Sequence, residues 1–161
     1  MVLIISLGNA AEGKIHDFRL KDLDNKSVRY SQLKGEKITI IDFWATWCKP
    51  CSRAIPKLIE IYERYNEQGV QLIGISVDSP RNLPKVKPFV HSRHITYPIL
   101  LDVNSQVMTD LKIKLLPTIL FIDSDDEIIF FHQGYRSGDE KVIEKEIQKI
   151  LKNINENGDE E

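Results

Sequence analysis

The run Ile38-Thr39-Ile40-Ile41-Asp42-Phe43-Trp44, continued by Ala45-Thr46-Trp47-Cys48-Lys49-Pro50-Cys51, constrains the fold more than any other stretch. Its β-branched, apolar start predicts a buried strand. Behind it Ile55, Leu58, Ile59, Tyr62 and Tyr65 recur at helical spacing, so the Cys-x-x-Cys pair sits where a strand becomes a helix. Pro50 falls just inside the helix start, where its missing N–H costs nothing. Cys48 then faces the unpaired N–H groups and the positive dipole end of that helix, which favour a thiolate over a thiol. Cysteines so placed titrate at roughly 3.5–7.5 instead of about 8.5. Cys48 and Cys51 read as a redox pair: Cys48 the more exposed nucleophile, Cys51 the deeper thiol that releases the product.

These two are the only cysteines in the 161 residues, so no second pair exists to act as a staple. As a staple the pair itself would be weak, because so short a ring contributes about 2 kcal/mol against nearly 5 for a long loop. Helical i, i+3 spacing also leaves Cβ atoms about 5–6 Å apart, wider than the roughly 3.8 Å a disulfide prefers, so strain and easy reduction are expected.

Asp42-Phe43-Trp44-Ala45 with Trp47-Cys48-Lys49-Pro50-Cys51 resembles the thioredoxin active site, with Lys49 where thioredoxin has glycine. The wider chain is similar to the TlpA/ResA-like thiol-disulfide oxidoreductases over roughly residues 15–152. The resemblance implies an α/β thioredoxin fold: a central mixed β-sheet flanked by helices on both faces, with an N-terminal β-hairpin and a mid-chain insert. It also implies that Pro117 in Leu115-Leu116-Pro117-Thr118 is the cis-proline beside the active site, and that Gly134 stands near it. Trp47, Leu116, Pro117 and Gly134 are then expected to line the groove that takes an extended substrate segment.

The rest of the chain agrees with that order of elements. Val2–Leu7 followed by Gly8-Asn9-Ala10-Ala11 resembles the end of a signal peptide lacking its basic start, so residues 1–14 are expected to be a truncated leader or a disordered N-terminus. The protein would then work outside the cytoplasm, and inside it otherwise. Residues 15–154 form one domain and residues 155–161, without an apolar side chain, a disordered tail. Phe18, Leu20, Val28 and Tyr30 alternate around an Asp/Asn-rich turn, which predicts the hairpin, and Ser31–Gly35 a helical turn stopped by glycine. Pro56 should bend the active-site helix. Val70–Val77 predicts a second strand, parallel to the first, ended by Asp78-Ser79-Pro80. In the insert, Pro84 and Pro88 leave room only for short helices, with a short strand at Tyr97–Leu101. Two strands follow, over Ile119–Asp123 and Ile128–Phe131, and then a helix capped by a Ser137–Glu140 box with an apolar stripe of Val142, Ile143, Ile147, Ile150, Leu151 and Ile154.

Asp42 is the informative acid. Alternation puts it on one sheet face with Ile40 and Trp44, in apolar surroundings that should raise its pKa and let it exchange a proton. The resemblance implies that this exchange serves Cys51. Here the chain departs from the ResA-like pattern, which often has a glutamate three residues after the second cysteine; this chain has Ala54 and keeps the strand aspartate.

Two other chemistries compete. Cys48-x-x-Cys51 with His91-x-x-His94 could supply four zinc ligands, although H-x-x-H is tighter than the usual spacing. A thiol peroxidase would carry Thr-x-x-Cys, and Thr46 stands one position too close to Cys48. The expectation is a reductase of protein disulfides, re-reduced by an upstream dithiol donor, monomeric, with no cofactor and no metal. A net charge of −2 gives no case for nucleic acid or anionic membrane, and no run approaches the roughly 18 apolar residues of a span.

Overall fold

The structure is a computed structural model and describes residues 13–158. In chain order its elements are β1 (Arg19–Asp22), β2 (Ser27–Arg29), α1 (Tyr30–Leu33), β3 (Ile38–Trp44), α2 (Lys49–Tyr65), β4 (Val70–Ser76), α3 (Val86–Ser92), β5 (Ile99–Leu101), α4 (Gln106–Asp110), β6 (Thr118–Asp123), β7 (Ile128–Gln133) and α5 (Asp139–Gly158). The seven strands form one sheet in the order β2-β1-β5-β4-β3-β6-β7. β3 pairs parallel with β4 and antiparallel with β6, so the sheet is mixed as expected.

Every residue of β3 is buried, which requires cover on both faces. Its β-branched and aromatic side chains suit a strand with no solvent side. β3, β4 and β5 advance in one direction across the sheet, and right-handed crossovers therefore put α2 and α3 on the same face. The face that α3 covers is the one Trp44 points to, since its ring stacks on Phe89 of α3 at 5.2 Å. The C-terminal ends of the parallel strands β3 and β4 lie side by side, and the two cysteines follow one of them.

Local expectations fare unevenly. The hairpin forms as read, with the Asp22 carboxylate accepting from the Asp24 and Lys26 N–H groups in the turn. Gly35 does not stop the helical turn, which already ends at Leu33. It is needed for close approach instead: a Cβ there would collide with the Ile38 carbonyl oxygen and stand 2.9 Å from the Gln71 nitrogen. α2 runs unbroken through Pro56, which lies on the exposed face where water can take the freed Ser52 carbonyl. The Ser137–Glu140 box is replaced by other contacts, because α5 starts two residues later than Ser137. Asp139 accepts from the Arg136 N–H, and Glu140 from the Gly138 N–H and the Tyr135 hydroxyl. Of the stripe on α5, Ile143, Ile147 and Leu151 are buried, whereas Val142 is exposed. α5 also continues past Ile154 to Gly158, with Lys37 bonded to Asn155 and Lys152 paired with Glu156. Residues 1–12, which hold the leader-like segment, lie outside the described residues.

Candidate active site

Cys48 is the N-cap of α2, with extended backbone (φ −84°, ψ 104°), and its Sγ accepts a hydrogen bond from the Cys51 N–H at 3.2 Å. A sulfur in that position takes one of the donors a helix leaves unpaired, and negative charge there is favoured. The pair is closed as a disulfide, S–S 2.06 Å, with Cα atoms 5.3 Å apart. Cys48 stands outside the helix, so helical i, i+3 spacing never applied to it, and the Cα separation lies in the ordinary disulfide range. Cys48 is 5% exposed and Cys51 0%, the expected order but a narrow difference. The strongly exposed neighbour is Trp47, at 61%.

The loop before Cys48 is held by a residue that sequence reasoning took only for the end of a strand. Asp78, itself buried, accepts from the Thr46 N–H at 2.8 Å and from the Thr46 hydroxyl at 2.6 Å, and Ser76 Oγ donates to it at 2.9 Å. The Val77 N–H bonds the Trp44 carbonyl at 2.9 Å and joins the same two strand ends. The available signal was position: an acid directly after a parallel neighbour of the cysteine-bearing strand reaches the same edge of the sheet. The Thr46 hydroxyl is therefore committed to Asp78.

Asp42 on β3 is fully buried, opposite Gly74 on β4 and Ile119 on β6. Neither carboxylate oxygen has a hydrogen-bond partner among the described residues. Burial pushes its pKa up to about 7, as the apolar strand led one to expect.

On the other side, the Leu116–Pro117 peptide bond is cis. The Pro117 carbonyl accepts from the Gly134 N–H at 2.8 Å, and Gly134 has φ 76°, a conformation that favours glycine. A groove of about 500 Å³ runs beside Cys48, bordered by Trp47, Met108, Lys114, Leu115 and Leu116. Trp47 and Leu116 are thus brought together as expected. Pro117 is buried and bonded to Gly134, and neither is among the residues that border this groove. Leu115, 58% exposed, and Met108 were missed. Met108 arrives through α4, whose first turn is tied down by Asp102 accepting from the Gln106 and Met108 N–H groups, both at 2.9 Å.

Residues 11–131 match the AhpC/TSA family. The chain belongs to that family. The thiol-disulfide oxidoreductase ResA of Halalkalibacterium halodurans is 32% identical over 145 residues, which is 90% of this chain and 79% of ResA. Two solved structures share the fold closely. A thioredoxin-family thiol:disulfide interchange protein from Chlorobium tepidum has a TM-score of 0.72 at 26% identity, covering 89% of this chain and 99% of its own. StoA from Bacillus subtilis has 0.67 at 25%, over 81% and 95%. This AhpC/TSA-family chain is accordingly a thiol-disulfide oxidoreductase of thioredoxin fold and ResA-like kind, cycling Cys48 and Cys51 between dithiol and disulfide. The four ligands of the zinc reading are not brought together: no cluster of three or more His, Cys, Asp or Glu gathers among the described residues. No helix among them is long and apolar enough to cross a membrane.

Proposed function

We propose that the chain reduces disulfides in protein substrates. The Cys48 thiolate attacks one sulfur of the substrate disulfide, a Cys48–substrate bond forms, and the other substrate sulfur leaves as a thiolate that takes a proton from solvent. Cys51 then gives its proton to the Asp42 carboxylate and attacks the Cys48 sulfur, which forms the internal disulfide, breaks the Cys48–substrate bond and releases the second substrate sulfur as a thiolate that takes a proton from solvent. The substrate gains two electrons and two protons, and an upstream dithiol restores the Cys48–Cys51 pair. Trp47, Leu115 and Leu116 would hold an extended substrate segment, with Pro117 and Gly134 fixing the groove wall behind them.

The observation that carries the direction is the buried, unpartnered Asp42 carboxylate. A helix N-terminus and Lys49 favour the Cys48 thiolate, which pulls the pair towards an oxidant. Lys49 is exposed, so water screens its pull. The buried acid opposes thiolate charge without such screening. The expected potential is therefore about −280 to −220 mV, near thioredoxin and far from the roughly −120 mV of a strong oxidant. Equilibration against glutathione and dithiothreitol buffers measures it, and a value more positive than about −180 mV reverses the direction. The roles of the two thiols are read separately: Cys51→Ser should retain covalent partners that dithiothreitol releases, and trapping by Cys48→Ser instead would exchange the assignments. The leader-like Val2–Leu7 segment supports action outside the cytoplasm, which fractionation of cells expressing the chain from its native locus would test.

A further inference from the structure

Four buried side-chain atoms have no hydrogen-bond partner among the described residues: both Asp42 oxygens, Trp44 Nε1 and the Tyr97 hydroxyl. They belong to one place. Asp42 and Trp44 are two apart on β3 and share a face, and Gly74 stands opposite Asp42 in the parallel register. A Cβ on Gly74 would come within 3.0 Å of Trp44 Nε1 and 3.1 Å of Tyr97 Cε2. Ile99 Cδ1 would lie nearer still, at 2.7 Å, so the missing side chain lets these three groups close in beside Asp42. The indole can only donate, the phenol can donate and accept, and the carboxylate accepts, so the set is chemically complementary. Buried groups of this kind are almost always satisfied, and the small molecule that links donors and acceptors beyond direct reach is water.

Tyr97 also borders a second cavity of about 480 Å³, lined by Leu23, Val28, Tyr62, His91 and Ile95 beneath the N-terminal hairpin. It shares no residue with the groove at Cys48. Tyr97 thus borders a cavity separate from the substrate groove and also reaches Gly74, opposite Asp42. The titratable groups on the surrounding elements are Cys51 and Tyr62 on α2, His91 on α3, and Asp22 and Asp24 of the hairpin at the cavity. Tyr62 meets the Tyr97 ring edge-on at 5.9 Å. None of them displaces Asp42, whose shift comes from burial alone, whereas burial and the Asp42 charge together push the Tyr97 phenol far up.

We propose that Asp42, Trp44 and Tyr97 form an internal water site in which Tyr97 is a positioning residue: water held by its hydroxyl and the Trp44 N–H bonds the Asp42 carboxylate and carries its proton to the second cavity. This rests on the reading of Asp42 as the group that exchanges a proton with Cys51. The consequence is that the charged carboxylate depends on Tyr97 for hydrogen bonding, and the substrate can stay seated in its groove while the proton leaves behind it.

The test follows the Asp42 carboxyl by carbon NMR in aspartate-labelled, oxidised protein, where neither cysteine titrates. Burial alone would put the midpoint at about 7, and the water site should hold the wild-type value below that. Tyr97→Phe removes only the hydroxyl and should raise the midpoint by about one unit, because the charged form loses a donor. Trp44→Phe should raise it in the same direction, and decides alone if Tyr97→Phe does not fold. An unchanged or lowered midpoint overturns the proposal. Asp42→Asn separates it from the reading beneath: a wild-type pH profile of reduction in that variant removes Asp42 from catalysis, while the carboxyl midpoint of oxidised Tyr97→Phe still decides the water site.

Discussion

Asp42 couples the redox site to the stability of the fold through its proton. Burial raises its pKa from 3.8 to about 7, so between those values the folded chain binds a proton that the unfolded chain has lost. Stability from this group is fully present below the unfolded value, and is lost as pH rises through the folded one. The displacement corresponds to about 4 kcal/mol as an upper figure, since each unit is worth about 1.4. Asp42→Asn should remove the slope and make the oxidised protein comparatively more stable at about pH 8 than at about pH 4.5. Urea unfolding of both proteins at the two pH values measures this. A wild-type to variant difference that does not change with pH would show that Asp42 is ionised throughout.

At the scale of elements, the site is a junction of two parallel strand ends and one helix start. Asp78 is the tie, because it satisfies both the backbone N–H and the hydroxyl of Thr46 just ahead of Trp47 and Cys48. Asp78→Ala would leave those donors without their acceptor and should cost about 2–3 kcal/mol. Asp78→Asn retains one carbonyl oxygen and should cost less. Chemical denaturation gives both numbers, and a loss below about 0.5 kcal/mol for the alanine variant would mean that the loop is held by other contacts. α4 plays the matching part on the far wall of the groove, where Asp102 fixes the turn that presents Met108.

For the whole molecule, potential and stability are one quantity seen twice. The disulfide closes a ring between residues three apart, which by chain entropy stabilises the oxidised fold by about 2 kcal/mol. A thermodynamic cycle then makes the folded pair more reducing than the unfolded pair by about 40 mV. The oxidised protein should accordingly melt at a higher temperature than the reduced protein at neutral pH. Equal or inverted melting temperatures, measured by calorimetry in both states, would point to a thiolate stable enough for an oxidase.

The sequence alone determined the strand–turn–helix carrying Cys48 and Cys51, the burial of Asp42 and the mixed α/β order, because these rest on local periodicity and on neighbours in the chain. The place of Pro117 came from the likeness of its surroundings to a known loop, and the cis bond agrees with it. Only the tertiary structure decided which residues meet across the sheet. Asp78 reached Thr46 from 32 positions away, and Leu115 and Met108 joined Trp47 at the groove, because parallel pairing brings distant ends to one edge. The cap of α5 changed locally instead: Tyr135 and Gly138, within five residues of Glu140, donate to it in place of the expected box. Gly74 carries no pattern in the sequence, yet its missing side chain lets Ile99, Trp44 and Tyr97 close into the space beside Asp42. Such a space is defined by three separate segments, and no single segment encodes it.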